Sequence, residues 1–166
     1  NKTSLIIASN VEVGNGVIHV INKVLRIANK TLAQTIEANS DLSLFTEVLK
    51  ATGWYDKLNQ PVTYDANKIS SHLTVLAETN QVYDKTEWES SPGTKITLNT
   101  LENLKLRYST SADLTDASNG LNLYVQYHII PKLSYLADLA VNPVFETKAP
   151  TEVISSKLLK DVLYLN

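Results

Sequence analysis

The sequence predicts an α+β fold, and three observations carry that reading. β-branched runs on either side of Asn15-Gly16 mark a hairpin near the start of the chain. Several later stretches place apolar residues at helical spacing behind capping residues. Strand and helix signals then mix without the regular βαβ rhythm of a parallel sheet.

In chain order, Val11 and Val13 alternate with polar residues before Asn15-Gly16, and Val17 to Ile21 continue as a β-branched run. Asn-Gly between such runs is a strong hairpin signal, because both residues tolerate the positive φ of tight hairpin turns. Gly14 can add a bulge or widen the loop. Thr31 with Gln34 three residues on has the shape of a capping box ahead of Leu32 and Ile36. Ser43 can cap a second helix carrying Phe45, Val48 and Leu49. Gly53 suits the left-handed position that ends a helix, with Trp54 folding back on the last turn. Beyond a polar connection through Asn59 and Pro61, His72 to Ala77 reads as a short buried strand. Thr79 then caps a helical turn reaching Tyr83.

Lys85 to Gly93 is charged and turn-rich, which predicts a surface loop. Leu101, Leu104 and Tyr108 mark an amphipathic helix capped by Asn99 or Thr100. Leu121, Tyr124, Val125 and His128 fall at i, i+3, i+4 and i+7, so a helix runs toward Ile129-Ile130, and Pro131 ends that segment. Ser134 to Leu139 predicts a helical turn. Val153-Ile154 and Val162 to Leu165 read as two strands around a turn at Lys160-Asp161.

Composition bounds the function. The 166 residues, one domain's worth, carry 15 Lys+Arg against 17 Asp+Glu for a net charge of -2. That balance offers no field to attract phosphate backbones or anionic membranes, so nucleic acid is not an expected partner. At 43% hydrophobic and 19% charged, the chain can bury a core. No window reaches the roughly 18 apolar residues of a membrane span, and no signal peptide opens the chain. The absence of Cys excludes a disulfide framework, a thiol nucleophile and a Cys-ligated metal. Met is absent too, even at the start, so Asn1 reads as a processing or excision boundary.

No catalytic template fits. His19, His72 and His128 are far apart and lack metal-ligand spacing, and no phosphate-binding, dinucleotide-binding or nucleophile-elbow motif occurs. No metal or cofactor is expected. Asp84, Glu87 and Glu89 can form a carboxylate pair, but a solvated face is the weightier reading. His19 shares a strand face with Val17 and Ile21; a buried imidazole bonded to backbone outweighs a ligand or pH switch there. Tyr127 and His128 read either as a contact for a partner or, more weightily, as a core-facing pair at a helix-to-strand junction. Trp88, in a polar stretch, is either packed or a glycan or protein contact. Asn1-Lys2-Thr3 and Asn29-Lys30-Thr31 match the N-glycosylation pattern at a frequency close to chance in so Asn- and Thr-rich a chain.

The run from Val11 to Leu25 closely resembles the closing box of fasciclin-type (β-Ig-H3/fasciclin) adhesion domains, approximately N-G-V-I-H-V-I-D-x-V-L. Asn15, Gly16 and His19 occupy its marked positions, while Asn22 stands where Asp is usual. Leu42 to Gly53 is similar to the family's opening helix. Thr74 to Tyr83 resembles its T-V-F-A-P-T-N-x-A-F box through Thr74, Thr79 and Asn80, with Glu78 in place of Pro. Tyr127 to Pro131 looks like its tyrosine–histidine motif, and Thr147 to Asn166 like the hairpin that follows.

The resemblance implies a β-wedge or sandwich decorated by short helices, without cofactor or catalysis. Its implied role is adhesion to protein or glycan partners at a cell surface or in a matrix, secreted or lipid-anchored, in a bacterium on the surface or periplasmic side. Tyr127, His128 and Trp88 are the candidate contacts, and neighbouring repeats or another copy of the chain are further partners. A structural spacer in a multi-domain surface protein is the alternative, and an enzyme or small-molecule binder using Glu78 and His72 ranks below both. In the family the closing box comes last; here it comes first. Residues 1–27 thus resemble the tail of a preceding repeat, or the permuted tail of the same domain, and 28–166 a domain lacking its closing hairpin. A fragment of a tandem array, a permuted domain and a chain missing residues all fit that order. Either way, residues 11–25 are expected to cover the Val162–Leu165 strand, from within the chain or from a neighbouring copy, since an unpaired apolar edge invites association.

Overall fold

The alternation at the start of the chain does form a ribbon: strands β1 (Ile6–Val13) and β2 (Gly16–Ile21) pair antiparallel. The computed structural model describes residues 5–23, 29–63, 71–160 and 162–165. Val24 and Leu25 of the closing box, and the Asn1 glycosylation triplet, lie outside them. Val13 pairs with Gly16, so Gly14-Asn15 makes the turn and not Asn15-Gly16. The positive φ of this ribbon falls on Asn10 (56°), within a register shift between Ala8 and Val11. Leu5 and Asn22 close its open end: Asn22 N–H donates to the Leu5 carbonyl (3.1 Å) and Leu5 N–H to Asn22 Oδ1 (2.9 Å).

Helix α1 (Leu32–Glu37) opens with the expected Thr31–Gln34 capping box. A 3-10 turn (Ser40–Leu42) leads into α2 (Ser43–Ala51), followed by α3 (Trp54–Leu58) across Gly53 at φ 72°. Ser43 does not cap α2, because it already lies inside the helix and Leu42 holds the cap position without a side-chain bond. The carboxamide of Asn80 takes over: its Oδ1 accepts from Leu44 N–H (3.2 Å) and its Nδ2 donates to Ser43 Oγ (2.9 Å) and the Ser40 carbonyl (3.1 Å).

Strand β3 is only Thr74–Val75 and half-buried, and α4 (Asn80–Lys85) starts behind Thr79, whose side chain makes no capping bond. The expected loop at 85–93 is a hairpin, β4 (Glu87–Ser91) with β5 (Thr94–Thr97). Its charges misled because they all lie on one face: Glu87, Glu89 and Lys95 point outward, while Trp88 pairs with Ile96 on the face turned toward the core. Glu87, 3.0 Å from Lys95, and Glu89 are exposed side chains, as the solvated reading requires. Helix α5 (Leu101–Tyr108) is capped by Thr100, and α6 (Gly120–Tyr127) by Asn119. Strand β6 (Ile129–Ile130), helix α7 (Leu136–Val141) and strands β7 (Val144–Glu146), β8 (Val153–Leu159) and β9 (Val162–Leu165) complete the chain.

Two cores result. The larger gathers Phe45, Val48 and Leu49 of α2 with Leu104, Leu121 and Val125, all without solvent exposure. The smaller holds Ile130, Leu139 and Phe145 under the β7–β8–β9 sheet. The short β3–β6 ribbon divides them, because successive strand side chains face opposite ways: Ile129 enters the first core and Ile130 the second.

The β1–β2 ribbon joins neither core. Among the described residues its strands pair only with each other, and every residue from 5 to 23 is exposed. The within-chain docking of residues 11–25 beside Val162–Leu165 is therefore corrected: β9 hydrogen-bonds to β8 alone in its sheet. His19 is corrected likewise. Its Nδ1 accepts from Asn10 N–H at 3.3 Å, a backbone partner as expected, but in an exposed setting.

Candidate functional site

The β3–β6 ribbon sets Glu78 against His128. Thr74 pairs with Ile130 and Val75 with Ile129, and the ladder runs on with Leu76 N–H donating to the His128 carbonyl at 2.9 Å. The chain leaving β3 thus passes the end of α6, where Tyr124 and His128 stand one turn apart on one helix face. Glu78 Oε1 lies 3.4 Å from His128 Nε2, and Oε2 accepts from the Tyr124 hydroxyl. Tyr83 from α4 adds its hydroxyl 2.8 Å from that of Tyr124, so a hydrogen-bonded chain runs from Tyr83 through Tyr124 to the accepting carboxylate of Glu78. His128 Nδ1 is 2.8 Å from the Tyr124 carbonyl, its ring edge-on to Phe45 at 5.9 Å.

The electrostatics follow from burial and these bonds. Burial pushes the Glu78 carboxyl up, but hydrogen bonds from His128 and Tyr124 outweigh it and hold the group below its ordinary value. Burial raises the Tyr83 and Tyr124 phenols, and the nearby Glu78 charge raises them further. Both phenols stay protonated as fixed donors, and Glu78 stays a carboxylate. Such a set orients hydrogen bonds; it presents no nucleophile beside a base.

A cleft of about 480 Å³ opens over this cluster. Its walls are mostly apolar, from Leu76, Val82, Ile154 and Leu165, with Glu78, Tyr127 and His128 at its polar edge. Tyr127 reaches across to the Val153 carbonyl at 3.4 Å. Of the residues singled out in the sequence, the structure brings Tyr127, His128 and Thr79 to one cleft. Trp88 does not line it: half-buried on β4, it packs against the larger core under the Arg107 guanidinium, 5.1 Å above its ring. Thr74 and Asn80 are fasteners. Thr74 Oγ1 donates to the Lys132 carbonyl (2.9 Å) and accepts from Ser134 N–H (2.8 Å), while Asn80 caps α2. Asn15 and Gly16 lie at the tip of the separate ribbon. Glu78 finds His128, and His72 does not line the cleft. Among the described residues no three His, Asp or Glu side chains converge as a metal site would need.

Sequence reasoning missed Tyr83 and Tyr124 as partners of Glu78, although the i, i+4 spacing of Tyr124 and His128 was a visible signal. It also missed Asn119 and Asn122. Asn119, almost wholly buried, takes Leu121 N–H on Oδ1 and gives Nδ2 to the Ser111 and Asp113 carbonyls. Asn122, wholly buried, accepts from Trp54 Nε1 at 2.8 Å and donates to the carbonyls of Thr52 (3.1 Å) and Leu114 (3.0 Å).

Among solved structures, a FAS1 domain pair from the insect cell adhesion molecule fasciclin I matches at a TM-score of 0.50. The fold is fasciclin-like. The alignment covers 98% of this chain at 15% identity, a likeness of architecture, and the chain spans 50% of the length of that pair. No protein-family model and no curated protein matches the chain. Within this fasciclin-like fold, the position where the resembling box carries Pro holds Glu78, so the polar centre of the cleft is built on a departure from that box. No helix among the described residues is long and apolar enough to cross a membrane.

Proposed function

We propose that this chain is a non-enzymatic adhesion or interaction module that acts outside the cell or at its surface and binds protein or glycan partners. The observation that carries the reading is the state of the cleft. At its polar edge Glu78 and His128 are committed to each other and to Tyr124, and the Tyr127 hydroxyl to the Val153 carbonyl, which leaves an open and largely apolar recess. A recess of that kind suits a surface contact better than turnover. The likeness to a domain pair from a cell adhesion molecule supports the same class. Tyr127 and His128 at the cleft edge are the proposed contacts, and Trp88 with Arg107 forms a second, aromatic–cationic patch. The same reading takes residues 1–27 as the tail of a preceding repeat, or the permuted tail of the same domain, and 28–166 as a domain without its own closing hairpin.

The test is retention of beads carrying the chain on cell layers, matrix proteins and glycan arrays. Retention that falls at least fivefold in Tyr127→Ala, with an unchanged melting temperature, supports the reading. Absence of retention on every surface overturns it in favour of the spacer. The cleft volume also favours one other occupant, a small apolar molecule, which would appear as a thermal upshift in a screen of hydrophobic ligands.

A further inference from the structure

Arg107 stands exposed in the last turn of α5, its guanidinium 5.1 Å from the ring centre of Trp88 and 5.7 Å from that of Tyr108. The floor under it is fixed. Trp88 pairs with Ile96 across the β4–β5 hairpin and packs on the larger core, while Tyr108 stacks on Tyr124 of α6 at 4.9 Å. Strand β4 and helices α5 and α6 thus hold one cation in place. Every residue of this arrangement lies between Trp88 and Tyr124 in the chain.

What the guanidinium lacks is an anion. Among the described residues it makes no hydrogen bond and no ion pair, whereas Lys50, Lys95 and Lys105 each have a carboxylate partner. The carboxylates nearest in sequence are turned away or engaged. Glu87 and Glu89 project from the hairpin face opposite Trp88, Glu87 paired with Lys95 at 3.0 Å and Glu89 accepting from Gly93 N–H at 2.9 Å. Glu102 is bound to Lys105 at 2.7 Å. Stacking on a ring leaves the in-plane N–H donors of a guanidinium free, and they form the fork that fits a carboxylate. The rings already restrain the side chain, so little rotamer freedom remains to be lost on binding.

We infer that Arg107, on its floor of Trp88 and Tyr108, seats the carboxylate of a uronic acid in an acidic polysaccharide. This rests on the interaction-module reading and names the partner class of its aromatic–cationic patch. Because Arg107 covers a face of the Trp88 ring, the specific contact passes from the tryptophan to the cation. The half-buried edges of Trp88 and Tyr108 offer aromatic area to the C–H face of a sugar ring, which an acidic peptide does not supply. One fork on an open surface binds weakly, at about 1 mM, so a ligand that repeats its anion along a chain gains most from it. Nucleic acids and anionic membranes are held by many cations at once, and one arginine on a chain of net charge -2 does not fit them.

Side-chain NMR on the full chain tests it. Arg26 and Arg107 are its two arginines, so Arg107→Lys identifies the Arg107 Nε–Hε signal by its loss. Oligogalacturonate should shift that signal saturably, and a neutral galactose oligomer should leave it in place. In affinity electrophoresis through polygalacturonate, Arg107→Lys keeps the charge but loses the fork and should bind at least fivefold more weakly. Lys148→Gln, a charge removed elsewhere, should bind as the parent does, with melting temperatures unchanged in both variants. An unmoved Arg107 signal overturns the inference, as does Arg107→Lys binding as tightly as the parent. Poly-glutamate bound as tightly as oligogalacturonate overturns it in favour of an acidic peptide, and dextran sulfate bound fivefold more tightly in favour of a sulfate ester. Failure of the module reading shows instead as absence of bead retention on every surface, so the two failures are told apart.

Discussion

Nε2 of His128 lies 3.4 Å from Oε1 of Glu78 while Nδ1 of the same ring lies 2.8 Å from the Tyr124 carbonyl oxygen. A carbonyl oxygen only accepts, so the Nδ1 contact places a proton on that nitrogen. Tyr124 is bonded to both residues, through its backbone carbonyl to the ring and through its hydroxyl to Glu78.

The pH dependence follows. The folded-state value of Glu78 is held below its ordinary 4.5, so its contribution is fully present above that pH and is lost as pH falls through the depressed value. Thermal melts from pH 3 to 7 should therefore show stability declining below about 4.5 in the parent chain. Glu78→Gln should melt lower at pH 7, decline less on the acid side, and meet the parent at the acid end. Parallel curves for the two proteins would contradict the assignment.

Asn122→Asp should be among the most damaging single-atom changes. It keeps the acceptor for Trp54 but removes the donor to Thr52 and Leu114, and it puts a charge where nothing is exposed. A cost of about 3 kcal/mol or more is expected from the two unpaired carbonyls and the buried carboxylate. Urea unfolding checks it, with Trp54 fluorescence isolated by Trp88→Phe as the local reporter.

Gly120→Ala probes the packing of α6 against the end of α5. A Cβ at Gly120 would lie 2.0 Å from the Tyr108 carbonyl oxygen, a backbone atom that cannot swing aside. The two helix ends must separate, at a cost of roughly 2–4 kcal/mol. Gly14→Ala is the contrast, since nothing lies within 4 Å of a Cβ there. Denaturant midpoints should fall sharply for the first variant and stay within error for the second.

What the sequence made legible was whatever a short window encodes. The Thr31–Gln34 capping box, the left-handed Gly53, the Thr100 cap and the α6 spacing all depend on residues within four positions of one another. The 87–97 hairpin was hidden because outward charges dominate its composition, although Trp88, Ser90 and Ile96 alternate with them. The site was half legible. Tyr127 and His128 were singled out from a motif, but Glu78 joins Tyr124 across 46 positions, and only the β3–β6 pairing brings them together. The exposure of the ribbon depends on where the chain places it relative to its own sheet, and no local pattern encodes that.

The cap of α2 shows the same non-local logic at one residue. Ser43 is too far into the helix to bond its own first turn, and Asn80 closes that turn from another element by accepting from Leu44 N–H while donating to Ser43 Oγ. Asn80→Ala should therefore cost about 1 kcal/mol, the usual worth of a side-chain cap, even though it lies 36 positions from the amide it serves. Asn80→Asp keeps the acceptor and loses the donor, so it should fall between the two. A double-mutant cycle isolates the bond between Asn80 and Ser43. Ser43→Ala should cost several tenths of a kcal/mol in the parent and almost nothing in Asn80→Ala, because its hydroxyl partner is already gone. Additive losses would show that the Ser43 bond contributes nothing, leaving the Asn80 effect with Leu44 N–H and the Ser40 carbonyl.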